Sequence, residues 1–382
     1  MINSKEILNT KFLLYIIFFP GLFSLVPKPI YYLLWGLLLI TIFVYNKIRL
    51  KDLNIIFLIT CIFIINFLLF PQKKIIIFLY ISFLFKCYPL YFICSKKINK
   101  DYFINLGYKL ALISNIFIFF ENLIIKSSGY MAFGYHLLPV IIIYIYFFIK
   151  YKKYLTLLLI AINSFLLIIY GNRGASLSLI IFLILSYFIF NKNKYTKILM
   201  IFLSSNFLLV SFIYKNTIKN FLINISLFFL KELNIRSYFL SKLILFLNKG
   251  LASSSSGRNI IYSNAIELGN QNWLLGNGIG KFRYIYETYP HNIFLEIYVQ
   301  FGSLGIIILC YFFYKVLYLL LKDKINKELL LLLFILAIPR LILSSSFWER
   351  PEFWGLIGCI RHFNILRKGK NEKKHIIKKC DI

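Results

Sequence analysis

His291 stands in Y-P-H-N-I-F-L-E (289–296), and two arginines sit in small-residue settings, Arg173 in G-N-R-G-A (171–175) and Arg258 in S-S-S-S-G-R (253–258). An exposed imidazole, with an unperturbed pKa of about 6.5, can take a proton from a sugar hydroxyl at neutral pH. Guanidiniums offer paired N–H donors that fit phosphate oxygens more specifically than a lysine does. Glycines beside Arg173 allow close backbone approach, and the serines before Arg258 can cap a helix over 259–268 through Ser255 or Ser256. The structural alternatives are arginines that snorkel to headgroups and a histidine that only makes hydrogen bonds.

A third grouping, L-L-G-N-G-I-G-K (274–281), has neither the G-x-G-x-x-G nor the P-loop spacing, and no strand precedes it. These glycines read as tight turning at a membrane surface. The chain lacks D-x-D, H-E-x-x-H and G-x-S-x-G, so no metal and no cofactor is expected. Six cysteines, at 61, 87, 94, 310, 359 and 380, form no disulfide framework and no metal-ligand spacing.

The elements that must position these groups are membrane helices. With 60% hydrophobic and 19% aromatic residues in 382, the chain is far more apolar than a soluble domain. Apolar runs between charged breaks give an all-α polytopic protein of about twelve spans, at 12–26, 30–45, 53–70, 75–94, 102–125, 132–149, 154–170, 176–190, 198–214, 294–321, 329–347 and 353–366. Pro20 and the lack of a small-residue cleavage site make the first an uncleaved span.

Loops 46–52, 95–101, 150–153, 191–197 and 322–328 carry three basic residues each and the tail 367–382 carries seven, whereas the alternate loops are poor in them. The bias of Lys and Arg to the cytoplasmic side then puts both termini inside and 215–293 outside as one large loop between helices 9 and 10. The division is 1–214 for nine helices, 215–293 for an external catalytic loop, 294–366 for three helices and 367–382 for a basic tail. Much of the +30 net charge follows this alternation, and no nucleic-acid-binding module is present, so a nucleic-acid partner is not expected. Within the loop, 221–230 and 238–247 suit helices lying in the interface.

Charges inside spans are functional candidates. Lys109 and Glu121, about three turns apart, are expected to face one interior, and Arg340 falls mid-span in 329–347. Lys86 and Lys315 lie near span ends.

The order G-N-R-G-A, S-G-R, two glycine-rich turns, then P-H-N-I-F-L-E and F-G-S-L-G resembles the O-antigen ligase and polymerase superfamily of bacterial envelope glycosyltransferases, over about 171–310. The resemblance implies a multi-pass inner-membrane enzyme using an undecaprenyl-diphosphate-linked oligosaccharide without metal or nucleotide, in contact with membrane lipid and with a chain-length regulator protein as a further partner. It implies that Arg173 and Arg258 hold the diphosphate and that His291 is the general base, with Asn292, Glu296 and Arg350 in support and inversion at the donor sugar. Thr288-Tyr289-Pro290 precedes His291 where some ligases have a second histidine, which favours a polymerase of O-antigen or capsular repeat units. The alternatives are a ligase to lipid A core and, in another class, a lipid-linked oligosaccharide flippase or transporter.

Overall fold

The computed structural model describes every residue except 1–3, 47–49, 122–129, 192, 194, 196–214, 234–236, 255–256, 323–326 and 381–382. The ninth expected span, 198–214, and the expected caps Ser255 and Ser256 lie outside the described residues. Among the described residues all regular structure is helical, as a bilayer requires, because a helix satisfies its own backbone polar groups where no water can. Seven helices among them are long and apolar enough to cross a membrane, and Tyr154–Tyr170 is a shorter apolar one. The protein is an all-α polytopic membrane protein.

In chain order the first helices are α1 (Ser4–Leu22), α2 (Lys28–Asn46) and α3 (Leu50–Leu69), followed by α4 (Lys73–Ser82), a π-helical turn (Phe83–Cys87) and α5 (Tyr88–Cys94). Pro89 explains the π turn. It has no N–H for the carbonyl of residue 85 and its ring crowds that carbonyl, which widens the helix there. The freed Phe85 carbonyl accepts instead from the Trp35 indole at 3.0 Å. Then come α6 (Lys100–Phe120), α7 (Tyr130–Tyr151), α8 (Tyr154–Tyr170) and α9 (Arg173–Phe190). Further along the chain follow α10 (Lys215–Leu233), α11 (Tyr238–Ser254), α12 (Arg258–Gln271), the short α13 (Lys281–Tyr286), α14 (Ile293–Lys322), α15 (Lys327–Leu343) and α16 (Pro351–Cys380).

The chain divides into two compact units: 1–19 with 26–107 and 265–382, and 20–25 with 108–264. In the first, α5 packs along α16, and α15 against α14 and α16. The approach of α5 to α16 is close because Gly355 and Gly358 leave room there, Gly355 for Leu90 and Cys94 and Gly358 for the Tyr91 carbonyl and Cys94.

The two ends of this unit differ chemically. At one end charges are paired: Asp52 with Lys96 at 2.7 Å and with Arg361 at 3.6 Å, Glu6 with Lys97 at 2.7 Å, and Glu328 with Lys100 at 2.8 Å. At the other end lie the turn between α3 and α4, residues 272–292 and the 344–350 segment, joined by polar contacts described below.

In the second unit α7 packs against α8 and α9. The α10–α11 pair docks on the end of α8 through Ile169, Phe229 and Leu240, with Ser237 donating to the Ile168 carbonyl at 3.0 Å. Lys109 is exposed on α6 and Glu121 is buried, so the two do not share one interior face. Twelve residues at 100° each return a helix to within a third of a turn, but α6 is covered unevenly along its length.

The expected span 294–321 is corrected: α14 is not one straight helix. Gly302 (φ 62°, ψ −157°) breaks it, in a conformation essentially confined to glycine. Residues 294 and 313 of a continuous helix would be about 28 Å apart, yet the Phe294 and Phe313 rings stack at 5.7 Å. Gly305 likewise packs against Ile297. The 293–301 segment therefore folds back along 303–313.

Candidate functional site

The fold-back leaves backbone groups without helical partners, and residues 273–278 supply them. Val299 and Gln300 carbonyls accept from the N–H groups of Asn277 (2.7 Å) and Gly278 (3.2 Å), and Ser303 N–H donates to the Trp273 carbonyl at 2.8 Å. Irregular backbone at membrane depth is tolerated when it is bonded inside protein in this way. Gly276, Gly278 and Gly280 all have positive φ, so the expectation of tight turning holds. A side chain on Gly276 would meet the backbone of Gln300 and Phe301, and one on Gly302 the Leu274 carbonyl. Asn66 accepts from Ile279 N–H at 2.8 Å and Gln72 donates to the Ile279 carbonyl at 3.2 Å, tying this loop to α3 and α4.

From Gly280 the chain enters the unit, and 293–301 brings it back to Gly302. Nine residues of helix are about 13 Å, so His291 and Asn292 lie about that far from the turning point, beside the middle of 303–322. His291 has φ 57°, uncommon for a side chain of its size and a feature that clusters at functional sites. Its ring packs on Tyr289 with centroids 4.2 Å apart. Asn292 caps α14, accepting from Phe294 N–H at 2.9 Å.

Tyr289 donates to the Ser344 carbonyl at 2.6 Å. Burial holds its hydroxyl above the ordinary tyrosine value, against the opposing influence of Arg350, so it stays a protonated donor. Arg350, Glu349, Glu296 and Arg340 all lie near enough to Tyr289 to act on it electrostatically. Arg283 joins them: it pairs with Glu349 at 2.7 Å and lies over the Tyr289 and Phe78 rings at 5.6 and 5.7 Å.

Glu296 is the buried hub. Its carboxylate accepts from Ser346 Oγ, from Phe347 N–H at 3.3 Å and from Gln300 Nε2 at 3.3 Å. Gln300 in turn accepts from the Trp348 indole at 2.8 Å. Trp348 is packed by Phe63, Phe83 and Trp354, and its carbonyl accepts from Cys87, the last residue of the π turn, at 3.3 Å. The start of α14 and the 344–350 segment are thereby locked together. Arg340 is corrected in position: α15 ends at Leu343, which puts Arg340 in its last turn, because Ser344, Ser345 and Ser346 leave the helix for this network.

His291, Asn292, Glu296, Arg340 and Arg350 are thus gathered in one region of the first unit. Arg283, Tyr289, Glu349, Ser346 and Gln300 escaped the sequence reading. Arg283 was one basic residue among nine in its loop, and nothing local signals a partner 66 positions away.

Arg173 and Arg258 belong to the second unit. Arg173 is the first residue of α9, half-buried, directly after Asn172, whose side chain caps the helix by accepting from Ala175 N–H at 2.8 Å. Gly174 approaches the Tyr135 hydroxyl, and Gly134 of α7 approaches Asn172 and Ala175, so the small residues here make a tight junction of α7 with the α8–α9 turn. Arg258 is also half-buried and opens α12 after Gly257, at φ 80°. Among the described residues no three His, Cys, Asp or Glu side chains are placed to share a metal ion.

Residues 155–310 match the family model described as O-antigen ligase. The match runs from α8 through both arginines and His291 into the 303–322 segment, and supports the O-antigen polymerase and ligase superfamily. No curated protein and no solved structure matches the chain. The O-antigen ligase match indicates a bacterial membrane protein of the ligase and polymerase type, a glycosyltransferase-like enzyme whose substrate class is a lipid-linked oligosaccharide.

Proposed function

We propose that this protein joins undecaprenyl-diphosphate-linked oligosaccharide repeat units by inverting glycosyl transfer at the outer face of the inner membrane, as an O-antigen or capsular polysaccharide polymerase. The observation that carries the reading is His291, held at positive φ with its ring against Tyr289, which itself lies under Arg283, inside the span matched by the family. In the reaction a hydroxyl of the acceptor sugar gives its proton to the His291 imidazole. Its oxygen bonds to the anomeric carbon of the donor as the bond to the diphosphate breaks, and undecaprenyl diphosphate leaves.

Arg173 and Arg258 hold the diphosphate in this scheme. Each starts a helix of 14 residues or more, where the helix dipole also favours an anion. Fixed positive charge of this kind acts where the leaving group gains negative charge, so it lowers the barrier and not merely the substrate's dissociation constant. Asn292, Glu296 and Arg350 keep the loop in register. The 215–293 segment faces outward and both termini lie inside; a chain-length regulator is a further partner.

Transfer to a lipid A core is the second reading, favoured by the match to a family model described as O-antigen ligase. Purified protein in liposomes, given lipid-linked repeat units with and without lipid A core, separates the two. Growing lipid-linked chains in the absence of core support the polymerase. Product formed only when core is present assigns the ligase, and movement of intact lipid-linked units with no new glycosidic bond contradicts both.

A further inference from the structure

Trp273, Leu274 and Leu275 are 61%, 45% and 69% exposed, an unusual density of uncovered apolar surface for a connection between two helices. Their backbone fixes where that surface lies. The Trp273 carbonyl accepts from Ser303 N–H and the Leu274 carbonyl from Leu304 N–H, so the loop sits level with the first turn after Gly302.

The helix below that level has the length of a bilayer. Residues 303–322 at 1.5 Å each span about 30 Å, the thickness of the hydrocarbon core. Leu304, Ile308, Tyr311, Tyr314 and Leu321 are all exposed, and their spacing of three, four and seven residues makes one continuous apolar stripe along this helix. On a membrane span such a stripe faces acyl chains. Leu304 at its top is bonded to Leu274 through the backbone, so the three exposed residues lie level with the top of the lipid-facing stripe. Tyr284 and Ile285 in the next helix are exposed too, and tryptophan and tyrosine concentrate at the boundary between hydrocarbon and headgroups.

We propose that residues 273–275 form a membrane-seated anchor: a loop whose side chains sit in the bilayer interface, beside the top of 303–322, and hold the fold-back against the lipid. The occupant of this surface is the lipid bilayer itself. The loop that the charge pattern would leave in water is then partly a lipid contact, and the chain enters the polar cluster from a fixed height. This holds whatever reaction the cluster performs.

The test uses the full chain in phosphatidylcholine liposomes with a Leu275→Cys substitution carrying an environment-sensitive NBD label, the parent protein serving as the baseline for native cysteines such as exposed Cys310. Glu267→Cys, at an exposed position on α12, is the aqueous comparison. The expected result is blue-shifted emission at 275, quenched at least twofold more by shallow spin-labelled lipid than by iodide, with the reverse order at 267. Iodide quenching at 275 equal to that at 267 would overturn the proposal. Shielding from both quenchers that disappears on diluting protein into excess lipid would also overturn it, by showing that a second copy covers the loop. Should the labelled protein prove unstable, spin-labelled-lipid quenching of the native tryptophans, compared with a Trp273→Phe variant, reads the same question: loss of the quenchable fraction is expected, and an unchanged fraction contradicts the anchor.

Discussion

Glu296 is the residue on which the cluster's geometry turns, because one buried carboxylate joins α14 to the 344–350 segment through three donors. Replacing it with leucine strands Ser346, the Phe347 N–H and Gln300, at about 1–3 kcal/mol for a buried group left unpaired. Glu296→Leu should therefore lose at least about 2 kcal/mol, seen as a lower unfolding midpoint in detergent, whereas Glu296→Gln, which keeps an acceptor for Ser346, should lose under about 1 kcal/mol. Equal losses would mean that the network is not held by this acceptor. The sequence marked Glu296 only through a family motif. Its partners lie 50 positions on, in a serine run that carries no local sign of its use.

At the scale of elements, most helices were legible because lipid leaves the backbone few choices and the apolar runs are long. The break in α14 was not. F-G-S-L-G sits in a largely apolar run, and hydropathy reports composition, not the φ of a single glycine. Gly302 is also a position where the structure is sensitive. An alanine there adds a Cβ against the Leu274 carbonyl in a conformation side chains avoid, costing about 3 kcal/mol. Gly36, with open space around it in α2, should instead gain about 0.5–1 kcal/mol on replacement by alanine. Thermal unfolding of the two variants in one detergent checks the contrast, and similar midpoints would argue against the fold-back. The π turn teaches the same lesson in reverse: Pro89 was visible, but the Trp35 indole that caps the freed carbonyl is a tertiary contact.

For the whole molecule, Asp52, Glu6 and Glu328 pair with Lys96, Lys97 and Lys100 at one end of the first unit, and Arg283 pairs with Glu349 in the histidine region at the other. Charge sorting along a sequence is a one-dimensional signal of a one-dimensional constraint, which side of a bilayer a loop occupies. The pairing of Arg283 with Glu349 is three-dimensional and left no such trace. The central claim is that His291 takes the acceptor's proton, and the rate of undecaprenyl diphosphate release in liposomes tests it most directly. Wild-type protein given lipid-linked repeat units should release one carrier diphosphate per new glycosidic bond, and His291→Ala should slow release by about 10²–10⁴-fold while remaining folded. Release by His291→Ala at the wild-type rate would contradict the account.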